Sequence, residues 1–67
     1  MSMKVRAYNK QTKQNIYYEN VKRVYYGFTN ESNGKHYRAY FIYDTDKMIN
    51  PIAVLRSFYY DVCEITE

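Results

Sequence analysis

From Met3 to Tyr8 the chain alternates, with Met3, Val5 and Ala7 on one parity and Lys4, Arg6 and Tyr8 on the other. That is the two-residue period of a half-buried β-strand. Segments rich in Tyr, Val, Ile and Phe follow, and these residue types fit a pleated surface. The pattern predicts strands over 3–8, 14–19, 21–28, 36–43 and 57–65. Turn chemistry separates them: Asn9-Lys10-Gln11-Thr12, a tight corner at Glu19-Asn20, a hairpin loop over 29–35 containing Asn33-Gly34, and Asp44-Thr45-Asp46-Lys47. Asn50-Pro51 has the form of a helix start, a capping asparagine followed by proline at the first helical position. Ile52, Leu55, Tyr59 and Val62 fall at roughly helical spacing, so a helix from 51 to about 60 competes with one short helical turn at 51–56. The aromatic and β-branched content of 57–65 favours the short turn followed by a strand. The expected fold is all-β and mainly antiparallel: a single domain in which a five-stranded meander curls toward a small, partly open barrel.

Three tyrosine doublets, Tyr17-Tyr18, Tyr25-Tyr26 and Tyr59-Tyr60, acquire meaning from the strand period. Successive side chains point to opposite faces, so a doublet within a strand sends one ring to each side. Taking the more aliphatic parity as inward gives a core of Met3, Val5, Ala7, Ile16, Tyr18, Val24, Tyr26, Phe28, Tyr37, Ala39, Phe41 and Tyr43, closed by Ile52 and Leu55. The opposite parity holds Lys4, Arg6, Tyr8, Tyr17, Arg23, Tyr25, His36, Arg38 and Tyr40, with Ile42 at its end. It reads as a face of cations interleaved with tyrosines.

Composition sharpens this picture. Ten tyrosines stand beside five valines, five isoleucines, three phenylalanines and one leucine, so tyrosine must supply much of the core. A 67-residue chain buries only about 60% of the surface that it exposes when unfolded, and scaffolds of this size usually need a staple. One cysteine, Cys63, and one histidine, His36, exclude an intramolecular disulfide and a Cys/His zinc site by counting. Oligomerisation is the staple that remains. The net charge of +3 divides unevenly, +6 over residues 1–38 and −3 from residue 39 on, which suits an anionic partner for the first half or a complementary contact between two copies. No segment has the ~18 apolar residues of a membrane span, and the N-terminus lacks the apolar run of a secretion signal, so a cytosolic protein is expected.

Catalytic chemistry finds little footing. Gly27 and Gly34 are the only glycines, too few for a phosphate-cradling loop. Asp44-Thr45-Asp46 lacks the further ligand and glycine of a calcium loop, and Cys63 has no cationic neighbour in sequence to activate it. A non-catalytic binding protein is the expected class, with no cofactor. Arg6, Tyr17, Arg23, Tyr25, Arg38 and Tyr40 are the candidate binding residues. Tyr and Arg are enriched at protein interfaces. The same residues suit a nucleic acid or nucleotide, whose bases stack on rings while phosphates meet guanidinium groups. A third possibility is a merely solvated convex surface.

The run MKVRAYNKQTKQ, the segment YYENVKRVYY and the late NPIAVLRSF resemble the short Tyr/Asn/Lys-rich β proteins of phages and prophages of low-GC Gram-positive bacteria. The resemblance is one of style and layout across most of the chain and carries over no site residue. It implies stoichiometric binding as a homo-oligomer that antagonises a host protein or sequesters a nucleotide signal in the host cytosol.

Overall fold

The computed structural model describes residues 2–29 and 34–65. Its six strands are β1 (Met3–Asn9), β2 (Gln14–Val21), β3 (Arg23–Phe28), β4 (Arg38–Tyr43), β5 (Ala53–Arg56) and β6 (Tyr60–Ile65), and there is no helix among the described residues. They form two antiparallel three-stranded sheets in place of one five-stranded meander: sheet I in the order β2-β1-β6 and sheet II in the order β3-β4-β5. No helix of the described residues is long and apolar enough to cross a membrane.

Local chemistry explains the first connections. The Asn9 side-chain oxygen accepts from the N–H groups of Gln11 (2.9 Å) and Thr12 (3.1 Å), and Lys13 closes the turn onto the Asn9 carbonyl with a φ of 60°. The corner expected at Glu19-Asn20 is instead a bulge inside β2. Met3 pairs with Val21 but Val5 pairs with Tyr18, so β2 carries one extra residue there, and Asn20 takes a φ of 59°. The bulge brings Val21 onto the same side as Tyr18, where Val21 is fully buried. The chain turns at the single residue Lys22, whose N–H bonds the Tyr43 carbonyl (2.8 Å), and enters sheet II as β3.

Residues 53–56, expected within a helical turn, are β5. They pair with Ala39–Ile42, and the Ile52 N–H bonds the Ile42 carbonyl (2.7 Å). Without β5 the second edge of the central strand β4 would lack backbone partners, and that demand outweighs a local helical preference. The strand expected over 57–65 starts at Tyr60, and 57–59 form a turn. Of the expected 29–35 hairpin loop, residues 30–33 lie outside the described residues.

The core lies between the sheets. Val5, Ala7 and Val21 from sheet I meet Ile42 and Leu55 from sheet II, with Met3, Tyr18, Val24, Ala53, Tyr60 and Val62 packed around them. Burying each large aliphatic side chain is worth about 1.5–3 kcal/mol, so Ile42, expected on the outward face, is a principal contributor. The expected faces of β4 were reversed relative to β3. Val24 pairs with Ile42 and Tyr26 with Tyr40, and directly opposed residues share a face. A one-residue slip exchanges every side chain of a strand between faces. Ala39 and Tyr43 are buried as expected, but on the far side of sheet II from the core cluster.

Candidate functional site

The six candidate residues do not share one surface. Arg6 and Tyr17 face each other across β1 and β2 on the outer side of sheet I. The Lys4 ammonium sits 5.3 Å from the Tyr17 ring centroid and 3.8 Å from a Glu19 carboxylate oxygen. Arg23 and Tyr25 lie on the outer side of sheet II, where Tyr25 meets Phe41 at 5.9 Å between ring centroids. Arg38 and Tyr40 are on the other side of sheet II, with Tyr26. The alternation therefore splits the expected face three ways, because the sheets turn different sides to solvent and β4 has the opposite parity.

The side of sheet II that faces the core extends past it at the Phe28–Arg38 end. Tyr26 and Phe28, in phase with fully buried Ile42 through their partners Tyr40 and Arg38, are 47% and 61% exposed. There the 57–59 turn rises as a wall. Ser57 donates to the Arg38 carbonyl from its N–H (3.0 Å) and its hydroxyl (3.2 Å), the Tyr59 N–H bonds the Arg56 carbonyl (3.0 Å), and Lys10 holds the turn from the β1–β2 side through its N–H to the Tyr59 carbonyl (2.8 Å) and its Nζ to the Ser57 carbonyl (3.1 Å). Across it, Thr29 and Tyr37 continue the β3–β4 pairing through Thr29 N–H to the Tyr37 carbonyl (2.7 Å).

Arg56, opposite Ala39, reaches this end from the outer side of sheet II, and the result is a cleft of about 420 Å³ lined by Phe28, His36, Tyr37, Arg38, Arg56, Ser57, Phe58 and Tyr59. This volume lies within the range of small-molecule sites. Two guanidinium groups rest on aromatic faces. Arg38 lies 5.3 Å from the Phe28 centroid, while Arg56 lies 3.5 Å from that of Tyr37 and 5.8 Å from that of Tyr59. Phe58 stands edge-on to Tyr59 at 5.0 Å and is 79% exposed. The His36 Nδ1 lies 2.9 Å from the Thr29 carbonyl, which can only accept, so Nδ1 bears the proton. The Tyr26 hydroxyl hydrogen-bonds Ser57 and Arg38, and these bonds hold its pKa below the usual tyrosine value, whereas burial raises that of Tyr18.

The charge is one-sided. Among the described residues no carboxylate lines the cleft, and their ion pairs, Lys4–Glu19 and Lys10–Asp61 (3.5 Å), do not engage Arg38 or Arg56. Four rings could by themselves cage a cation, but two guanidinium groups already occupy the ring faces, and an ammonium ligand would meet like charge. The site suits a ligand that joins a flat ring to negative charge. No three or more His, Cys, Asp or Glu side chains among the described residues are grouped to hold a metal ion.

Of these lining residues only Arg38 was among the six candidates. Tyr37 was expected in the core, Arg56 in a helical turn, and Phe58 and Tyr59 in a strand where the chain instead forms a turn. The signal present in the sequence was the compact run Arg56-Ser57-Phe58-Tyr59, a cation and two rings within four residues. No protein-family model matches the chain, and no curated protein or solved structure is significantly similar to it.

Proposed function

We propose that this protein is a non-catalytic binding module whose cleft takes a nucleotide unit, either free or within single-stranded nucleic acid. The observation that carries this reading is the pair Arg38 and Arg56. Both lie against rings in one cleft, and neither has a carboxylate partner among the described residues. Stacking fixes each guanidinium plane and leaves its N–H edge for phosphate oxygens. The exposed Phe58 ring, over which no guanidinium of the described residues lies, offers a face to a base, at about 1–3 kcal/mol per stacked base.

Fluorescence anisotropy with a labelled single-stranded oligonucleotide, competed by nucleoside mono- and diphosphates, tests the reading and separates its two ligand sources. Arg38→Ala or Arg56→Ala should each weaken binding about tenfold or more, within the 1–3 kcal/mol expected for such contacts. Arg6→Ala should leave it unchanged. With two phosphates engaged, raising salt from 50 to 200 mM should weaken oligonucleotide binding about sevenfold. Absence of binding at 50 mM salt, or loss through Arg6→Ala instead, would overturn the proposal.

A second reading, stoichiometric binding to a protein as the phage-like layout implies, is supported by a separate observation. The outer side of sheet II presents Tyr25 and Val54, with Ile52 beside them, in a half-exposed apolar patch. Antagonism of a host protein belongs to this reading.

A further inference from the structure

The cleft holds basic side chains of two kinds. Arg38 and Arg56 stay charged at any ordinary pH, whereas His36, which lines the same cleft, is of the residue type whose charge changes between about pH 5 and 8. It is the only histidine of the chain. Its ring is held where the β3–β4 pairing runs out. The Thr29 N–H bonds the Tyr37 carbonyl (2.7 Å), but the Tyr37 N–H is met by the Thr29 hydroxyl (3.2 Å). The Thr29 carbonyl is thereby left to the His36 ring, which it meets at Nδ1 (2.9 Å). Because a carbonyl only accepts, the Nδ1 proton is committed to the protein, and Nε2 is the nitrogen left for a ligand. On a neutral ring that nitrogen presents a lone pair, and on a protonated ring an N–H.

Given the nucleotide reading of the cleft, on which this rests, we propose that His36 is its third phosphate-binding group and engages through Nε2 only when protonated, so that the protein takes up a proton as it binds. A phosphate oxygen is repelled by the lone pair of the neutral ring and accepts from the N–H of the charged one. The surroundings of the ring suit this coupling. Arg38 from β4 and Arg56 from β5 line the cleft with it, as do the hydroxyl-bearing rings of Tyr37 and Tyr59, and Lys35 is its neighbour in the chain. Among the described residues no carboxylate lines the cleft, so a bound phosphate brings the negative charge that favours the protonated ring. The same phosphate offsets the like charge of the two guanidinium groups. The sign follows from linkage. Since the bound state holds the extra proton, affinity is lowest in alkaline solution, rises as pH falls, and levels off once the ring is protonated in the free protein as well.

Fluorescence anisotropy with a labelled single-stranded oligothymidylate lacking a terminal phosphate, at constant salt between about pH 5.5 and 8.5, reads the coupling. Its phosphodiesters keep one charge each over that range, so the ligand itself does not titrate. Affinity should rise about tenfold or more from the alkaline to the acid end, the size of one hydrogen bond to a charged group. His36→Gln should weaken binding at the acid end about tenfold and flatten the profile. His36→Arg, charged throughout, should bind tightly at both ends. His36 is exposed, and both variants should keep the circular dichroism spectrum of the unaltered chain. Binding that does not change with pH overturns the inference and leaves the nucleotide reading in place, as does a pH dependence that persists in His36→Gln. No binding at any pH would remove the nucleotide reading and this inference with it.

Discussion

On sheet I the outward side chains Lys4, Arg6 and Tyr8 stand beside Tyr17, Glu19 and Asp61, and the charges there are answered locally by Lys4–Glu19 and Lys10–Asp61. On sheet II the outward positions hold Tyr25, Phe41 and Val54, with arginines only at the corners. Both faces arise from the same alternation. The first is a solvated surface on which Lys4 sits over the Tyr17 ring and pairs with Glu19. The second leaves half-exposed apolar groups uncovered, and at the far end of sheet II Arg56 from this side and Arg38 from the other lie against rings, with no carboxylate partner among the described residues. Cations among tyrosines thus do not by themselves mark a site, whereas Arg38 and Arg56 are held on rings with no carboxylate partner among the described residues.

The comparison breaks most readily at β4. Ile42→Ala should cost about 2–5 kcal/mol in urea denaturation, enough to unfold a domain whose core supplies only a few kcal/mol. Phe41→Ala, on the opposite side of the same strand, should cost clearly less. Equal losses would mean that the sheet has its other side to the core. Next in size is the contrast between cleft and sheet I, where the double variant Arg38→Ala/Arg56→Ala should abolish oligonucleotide binding while Arg6→Ala/Tyr17→Ala retains it. Retention of binding by the first double variant would move the site.

A smaller effect sharpens the description of the outer side of sheet II. Gly27→Ala should displace the Tyr25 ring at a cost of about 1 kcal/mol, and Tyr25→Ala should remove that cost, as a double-mutant cycle in urea would read. Additive losses would show that the ring does not cover the glycine. The smallest effect belongs to sheet I. Lys4→Ala and Glu19→Ala should each change stability by less than about 0.5 kcal/mol, because their ion pair is long and solvated. A loss above 1 kcal/mol (~1) would make that face structural.

Much of the strand layout was legible in the sequence. β1, β2, β3 and β4 lie where alternation placed them, within a few residues, and the split of Tyr17-Tyr18 and Tyr25-Tyr26 between inner and outer sides follows from the period alone. The agreement across β2 and β3 involves two compensating irregularities. The bulge near Asn20 shifts the phase, and the turn at Lys22 restores it, so Tyr18 and Tyr26 both lie on core-facing sides, but only Tyr18 packs on the core and Tyr26, expected there, is 47% exposed. The core-facing side of β4 was not legible because both of its parities are apolar: Ala39 and Tyr43 are buried on one side and Ile42 on the other. Pattern cannot choose a face for a central strand of that kind. β5 depends on a partner distant in sequence, and so does the cleft. Ser57 reaches Arg38 through backbone bonds that no local signal encodes.

The account rests most on the cleft, and an amide chemical-shift titration with a short single-stranded oligonucleotide tests it directly. The shifts should cluster at Phe28, Tyr37, Arg38 and Arg56–Tyr59 and leave Arg6 and Tyr17 unmoved. Perturbations centred on Arg6 and Tyr17, or none at all at saturating ligand, would contradict it.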